Sequence, residues 1–175
     1  MRDPQDETFL LRRATVEDVE VLQAIVQEGF EGYRELAPAG WQPPDETTPE
    51  WHARSAEEIA RRSTFAVLAE VDGEVAGHVR WVPAVWPSPD GSTPDAHLRH
   101  LFVRRAFWGA GVATALHDAA VADMRRRDVR EARLFTPGWQ ARARRFYERE
   151  GWRHHYGPYW EPDLALQMVE YRLAP

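Results

Sequence analysis

Hydrophobic positions along the chain change period often enough to predict alternating strands and helices. Phe9 to Ala14 reads as a short strand, and Thr15 follows as a helix N-cap with Glu17 and Asp18 in the first turn. Val19, Leu22, Ile25 and Val26 then repeat at helical spacing, which predicts a first helix to about Phe30. Pro and Gly break the pattern from Gly32 to Thr48, and a second helix is expected over roughly Pro49 to Arg61. Thr64 to Val71 and Glu74 to Val82 are strand-like on either side of Asp72-Gly73, a hairpin turn signal. Four prolines between Pro83 and Asp95 mark a loop, with a strand from Ala96 to Val103 beyond it. Val112, Leu116, Ala120 and Met124 recur as the buried stripe of a third helix. Glu131 to Thr136 reads as a strand stopped by Pro137-Gly138. Ala143, Phe146 and Tyr147 share one face of a fourth helix that Gly151 can end, and Trp152 to His155 and Leu164 to Leu173 close the chain as strands.

This order makes an α/β chain of helices interleaved with a strand-rich mixed sheet, without internal repeats. At 175 residues one domain over residues 1–175 is expected, and 43% hydrophobic content with eight Trp argues for a packed core. No run approaches the ~18 apolar residues of a membrane span. The opening Met1-Arg2-Asp3-Pro4-Gln5-Asp6-Glu7 is acidic where a signal peptide would be basic and then apolar, so a cytoplasmic protein is expected. The absence of Cys excludes disulfides, thiol nucleophiles and thiolate metal sites.

Charge sharpens the picture because it is unevenly placed. The chain carries −6 overall, which argues against nucleic-acid binding, yet Arg99 to Arg153 holds 13 Arg against 6 acids, and the remainder 9 against 22. An anionic ligand is therefore expected in the second half and a cationic one in the first. The plainer reading of any single Arg is a solvated helix face, since the chain has no Lys.

Trp108-Gly109-Ala110-Gly111-Val112-Ala113 places two glycines between a strand and a helix start. Glycine permits close backbone approach, and the first helical N–H groups have no intrahelical acceptor, so the turn suits a phosphate. A nicotinamide-binding fingerprint would need Gly or Ala where Thr114 stands, and a nucleoside-triphosphate loop would need a Lys. A ligand-free tight turn is the structural alternative.

Read with its surroundings, Leu101 to Leu116 resembles the acetyl-CoA-binding segment of the Gcn5-related N-acetyltransferase (GNAT) superfamily. That motif is Gln or Arg, two variable residues, Gly, one variable residue, and Gly or Ala. Gly111 and Ala113 match its last two fixed positions, whereas Trp108 occupies the Gln/Arg position. Ala143, Phe146-Tyr147-Glu148 and Gly151-Trp152 are similar to the family's later helix, with Gln140 where many members have Asn; Arg12-Arg13-Ala14-Thr15 with Asp18 is similar to its opening. The resemblance implies an acyl-CoA N-acyltransferase fold, a mostly antiparallel sheet whose two central parallel strands, Ala96 to Val103 and Glu131 to Thr136, splay apart to admit the pantetheine arm. It implies cofactor contacts at Leu101, Phe102, Val103, Arg104, Trp108, Gly109, Ala110, Gly111, Val112, Ala113 and Thr114, and across the gap at Gln140, Ala143 and Phe146. Arg105 joins Arg104 as a candidate to steer phosphates.

Acetyl transfer to an amine needs a neutral amine, placement, carbonyl polarisation and a proton for the leaving thiolate. The resemblance makes Tyr147 the acid, against the alternative of a core Tyr capping a backbone group. His97 stands where related enzymes carry a Glu base, and His100 lies on the same strand with opposite nominal parity, which a bulge would change. His97 and His100, three apart on a strand, make a poor metal pair, and no metal is expected. Glu28, Glu31, Glu35 and Asp95 would give the acceptor pocket negative potential, and Tyr33, Trp41 and Trp86 its apolar walls, unless these rings anchor loops. A small amine, an amino sugar or a peptide N-terminus fits as acceptor, in a monomer or homodimer without membrane or nucleic-acid partner. The competing class is a noncatalytic acyl-CoA-binding or sensing module.

Overall fold

The computed structural model describes residues 9–175; the acidic opening, Met1 to Glu7, lies outside the described residues. Strand β1 (Phe9–Arg13) leads through a 3-10 turn into α1 (Val19–Glu31). Asp18 ties this junction together, accepting from the Thr15 backbone N–H at 2.7 Å and from the Arg12 guanidinium at 2.8 Å. Helix α2 (Pro49–Ala60) starts with Pro at its first turn and the Thr48 hydroxyl accepting from Trp51 N–H, the expected cap chemistry. There follow the hairpin β2 (Phe65–Val71) and β3 (Glu74–Pro83), β4 (Ala96–Val103), α3 (Val112–Arg126), β5 (Ala132–Pro137), α4 (Ala141–Arg149), β6 (Arg153–Glu161) and β7 (Leu166–Leu173).

The seven strands form one sheet in the order β1-β2-β3-β4-β5-β7-β6, antiparallel except for β4 against β5. Helices α3 and α4 cover one face, where Val112, Leu116, Ala120, Met124 and Tyr147 pack on Val79, Leu98, Leu134, Val169 and Tyr171. On the opposite face, Val19 and Leu22 of α1 and Ile59 of α2 cover Ala66 and Leu68. The predicted stripes are thus the buried ones, because each helix lies on one side of a single sheet.

Two details position the site. The parallel strands pair only at Ala96 with Ala132 and His97 with Arg133, and then diverge. Each is held away by its other neighbour: β4 pairs with β3 up to Val103, and β5 pairs with β7 along its whole length. The gap is therefore a consequence of pairing on both flanks. The second detail is a bulge in β4. Arg80 pairs with His100 but Trp81 pairs with Leu98, so Arg99 is the extra residue. Ala96 and Leu98 before it and Leu101 and Val103 after it face the α3 side, which leaves His97, His100 and Phe102 on the α1 side.

The closing hairpin differs from expectation. Strand β6 continues to Glu161, well past His155, and β7 begins at Leu166. Burial alternates from Tyr156 to Glu161, but the exposed positions there are Tyr156, Pro158 and Trp160, so the sequence does not alternate apolar with polar as a half-buried strand would.

Candidate functional site

The turn between β4 and α3 is built by backbone conformation. Gly109 and Gly111 adopt φ of 89° and 81°, and a Cβ on either would meet no protein atom within 4 Å. Gly111 is the N-cap of α3, and the first intrahelical bond runs from Ala115 N–H to Gly111 O. The N–H groups of Val112, Ala113 and Thr114 therefore face the open space before the turn with the positive end of a 15-residue helix dipole. Val112 offers only its N–H, since its side chain is core.

Above the turn, β4 presents free backbone to the gap. Arg104 N–H bonds Ala76 O on β3, so by strand parity Phe102 also points to β3, while Leu101 and Val103 point towards β5. The Phe102 backbone is spent in the sheet, and its ring packs on Phe30 under Gly29. Across the gap, Ala143 and Phe146 of α4 pack against the core beside Tyr147, and Gln140 sits at the helix's N-terminus, its carbonyl accepting from Arg144 N–H.

Tyr147 is buried, and burial together with the neighbouring Tyr33 raises its pKa above the ordinary phenol value. Its hydroxyl caps no backbone group and has no hydrogen-bond partner among the described residues. The capped phenol of this core is Tyr171, which donates to Glu148 and accepts from Arg144. Tyr33 reaches the same place from the α1 side, edge-on to Phe30 and Trp139, with its pKa pushed up to about 12 by burial. Two protonated phenols, one from each side of the sheet, are thus close enough for Tyr33 to influence the titration of Tyr147.

The bulge brings His97 and His100 to one face, and their environments separate their chemistry. His97 stands edge-on to Phe135, its pKa lowered to about 3 by burial and by Arg133 and Arg99. His100 Nδ1 lies 2.8 Å from an Arg80 nitrogen that can only donate, so its lone pair is occupied and Nε2 carries the proton. His100 therefore presents an N–H at Nε2, while its Nδ1 lone pair is occupied by Arg80. Burial, Arg80 and Arg99 hold it neutral.

The expected negative potential is neutralised. Glu28 pairs with Arg104, Glu31 with Arg34, Glu35 with Arg105 and Asp95 with Arg130. Arg104 is held between Glu28 and Glu74. Trp41 anchors its loop instead of walling a pocket: it is buried on Leu166 and Met168, and its indole donates to Leu164 O at 2.7 Å. Trp86 stands exposed on the 84–95 loop without ring contact to Tyr33 or Trp41. That loop is pinned by buried Ser88, which donates to Glu170 and accepts from Arg133 and Arg172. Trp139 and Phe135 are aromatic neighbours of Tyr33 and His97 that the sequence did not single out; their spacing carries no signal, because Phe135 lies on β5 and Trp139 in the turn after it.

Trp108 makes a second bridge. Its indole N–H donates to Val103 O at 2.8 Å, and Arg142 of α4 lies over its ring at 3.7 Å from the centroid. One cluster of potential metal ligands occurs among the described residues, His117, Asp118 and Glu150. His117 Nε2 accepts from the Trp152 indole at 2.9 Å, so Nδ1 carries the proton towards Asp118 and the imidazole has no lone pair for an ion. A cavity of about 530 Å³ opens between α1 and the start of α2, lined by Gln23, Thr47 and His52; none of its lining residues belongs to β4, β5 or α4.

Comparisons with known proteins identify a family and a fold. The model of the acetyltransferase (GNAT) family matches residues 26–152. No curated protein matches in sequence. Among solved structures, the PaiA N-acetyltransferase of Thermoplasma acidophilum, determined in complex with coenzyme A, is similar at TM-score 0.73 and 15% identity, covering 96% of this chain and 99% of that one. A ribosomal-protein-alanine N-acetyltransferase of Brucella melitensis reaches TM-score 0.73 at 19% identity, over 95% and 99%. An N-acetyltransferase of Staphylococcus aureus reaches 0.71 at 16%, over 95% and 98%.

Proposed function

The chain belongs to the acetyltransferase (GNAT) family, and from that premise we propose that it moves an acetyl group from acetyl-CoA to a primary amine by direct transfer in a ternary complex. The observation that carries this reading is the convergence on one gap of three things: the helix-start N–H groups of Val112 to Thr114, the backbone N–H groups of Leu101 and Val103 on the β5 side of β4, and the Tyr147 phenol. The residues fit the ligand. Glycines at 109 and 111 leave room for a pyrophosphate, and the open β4 edge suits the amides of a pantetheine arm.

Acetyl-CoA supplies the activated acyl group as a thioester. The amine attacks its carbonyl carbon as the C–S bond breaks, and a β4 N–H at Leu101 or Val103 takes the negative charge that develops on oxygen. Tyr147 gives its proton to the sulfur and regains one from solvent. Its raised pKa keeps it protonated at neutral pH, and the same burial disfavours a bare thiolate, so the two effects act together. His97 is too weakly basic to hold the amine's proton. It offers a lone pair that orients the incoming neutral amine, and the surplus proton on nitrogen leaves through water.

The acceptor is a small amine, an amino sugar or a peptide N-terminus, entering on the α1 side between Tyr33, Trp139, Phe135 and His97. The likeness to a ribosomal-protein-alanine N-acetyltransferase makes a peptide N-terminus the first to try. No helix among the described residues is long and apolar enough to cross a membrane, and we adopt a cytoplasmic setting.

The test is release of CoA thiol from acetyl-CoA against a panel of amines from these three classes. Because the chain has no Cys, every thiol detected comes from CoA. Amine-dependent release is expected with at least one class. CoA binding without release from any of them would make the protein a noncatalytic acyl-CoA-binding module.

A further inference from the structure

We propose that Arg142, held on the face of Trp108, binds a phosphate of the CoA nucleotide and supplies from α4 the cation that position 108 lacks. This rests on the acetyl-CoA reading above.

Trp108 is fixed in place by its own backbone-directed bond. With its N–H on Val103 O, the ring stands where β4 ends, 47% exposed, one residue before Gly109. Arg142 lies in the first turn of α4, on the other side of the gap, and its guanidinium carbon sits 3.7 Å from the centre of that ring. The stack therefore spans the mouth of the gap and sets a positive charge beside the turn whose helix-start N–H groups are free.

Pairing and stacking together separate Arg142 from its neighbours, since Arg145 on the same helix is also without a carboxylate partner among the described residues but lies on no aromatic ring there. Arg104, Arg105, Arg126, Arg130 and Arg149 each have a carboxylate partner. Arg142 has neither an ion pair nor a hydrogen bond among the described residues. Stacking uses the face of a guanidinium and leaves the N–H edge free, and that edge is the part that matches two phosphate oxygens. The ring also limits the side chain's freedom before ligand arrives, so less entropy is lost on binding than for an unstacked Arg. An aromatic residue at 108 is thereby compatible with phosphate binding: the ring carries the donor in place of being one.

Calorimetric binding of three ligands to the full chain tests this: CoA, dephospho-CoA without the 3′-phosphate, and pantetheine without any phosphate. Position 142 is on an exposed helix surface and Ala is a strong helix former, so Arg142→Ala is expected to fold with unchanged Tm. It should weaken CoA roughly tenfold, an effect that shrinks with added salt, and leave pantetheine within about twofold. Arg142→Lys should recover part of the loss, and Trp108→Ala should reproduce most of it. A penalty that vanishes with dephospho-CoA assigns the contact to the 3′-phosphate; one that persists assigns it to the pyrophosphate. CoA affinity within twofold of wild type in Arg142→Ala, or an equal loss for pantetheine, overturns the proposal. Failure of the wild-type chain to bind CoA at all would instead overturn the acetyl-CoA reading on which it rests.

Discussion

Lowering the pH from 7.5 to 5.5 is expected to destabilise the fold by about 4 kcal/mol, through three imidazoles held neutral on the α1 side of the sheet, His78 buried and His97 and His100 half-buried. His78 on β3 is 1% exposed, neither ring nitrogen has a partner, and burial with nearby Arg80 lowers its pKa to about 3. His97 is lowered to about 3 and His100 well below its ordinary value, so all three stay neutral in the native state across this range. In the unfolded chain each titrates near ~6.5. As pH falls through that value the unfolded state binds protons that the native state refuses, so stability is present above it and lost below it. By pH 5.5 about nine-tenths of each unfolded imidazole is charged, which amounts to a little over ~1 kcal/mol per His relative to pH 7.5. His117, lowered by burial, acts in the same direction. Asp18 and Asp95, lowered to about 2, lose their contribution only as pH falls below the carboxylate range, outside this window. Glu46, raised by burial, opposes the trend only where it begins to protonate. Urea denaturation at the two pH values measures the drop, and a His78→Leu variant that folds should lose about a third less. Equal stability at both pH values, or a rise at pH 5.5, would refute the claim that these imidazoles are held neutral in the native state.

Other expectations follow from single contacts. A Cβ at Gly77 would lie 2.5 Å from the Phe102 carbonyl oxygen and 3.0 Å from Val103 Cα, so Gly77→Ala must part β3 from β4. A stability loss of about 1–3 kcal/mol is expected by thermal or denaturant melting. Trp152→Phe removes the donor to His117 Nε2 inside the core and should cost about 1–3 kcal/mol, whereas a melt unchanged from wild type would mean that the imidazole finds another partner. Gly111→Ala forces a side chain into φ of 81°, at about 1–2 kcal/mol of strain, and should weaken CoA binding in calorimetry. Because His97 is neutral throughout the working range, the acidic limb of kcat/KM should follow the acceptor's own pKa when one amine is exchanged for a less basic one. A limb fixed near ~6.5 for both amines would show His97 to be the titrating base.

The element order was legible because each helix buries one stripe on one sheet face: Val19, Leu22, Ile25 and Val26 in α1 and Val112, Leu116, Ala120 and Met124 in α3 are core residues in the structure. The glycine turn was legible for a different reason, since positive φ at 109 and 111 leaves little choice of residue. What sequence could not supply was pairing between distant residues. Strand parity sets His97 and His100 on opposite faces, and only the register with β3 makes Arg99 a bulge that reunites them. Acids counted as free potential, Glu28, Glu31, Glu35 and Asp95, each face an Arg, three of them well removed in sequence. Trp41 looked like a loop aromatic because its partner, the Leu164 carbonyl, is 123 residues away. Arg142 carried no signal at all, being one Arg of several on a basic helix until its stack on Trp108 set it apart.

Turnover of Tyr147→Phe, measured with both substrates saturating and with CoA affinity determined in parallel, tests the central claim most directly. The account predicts that CoA binds with nearly wild-type affinity, because the nucleotide is held by the turn and not by the phenol, while turnover falls roughly tenfold or more for want of a proton at sulfur. A turnover number equal to that of wild type, in a variant that binds CoA and the amine normally, would contradict it.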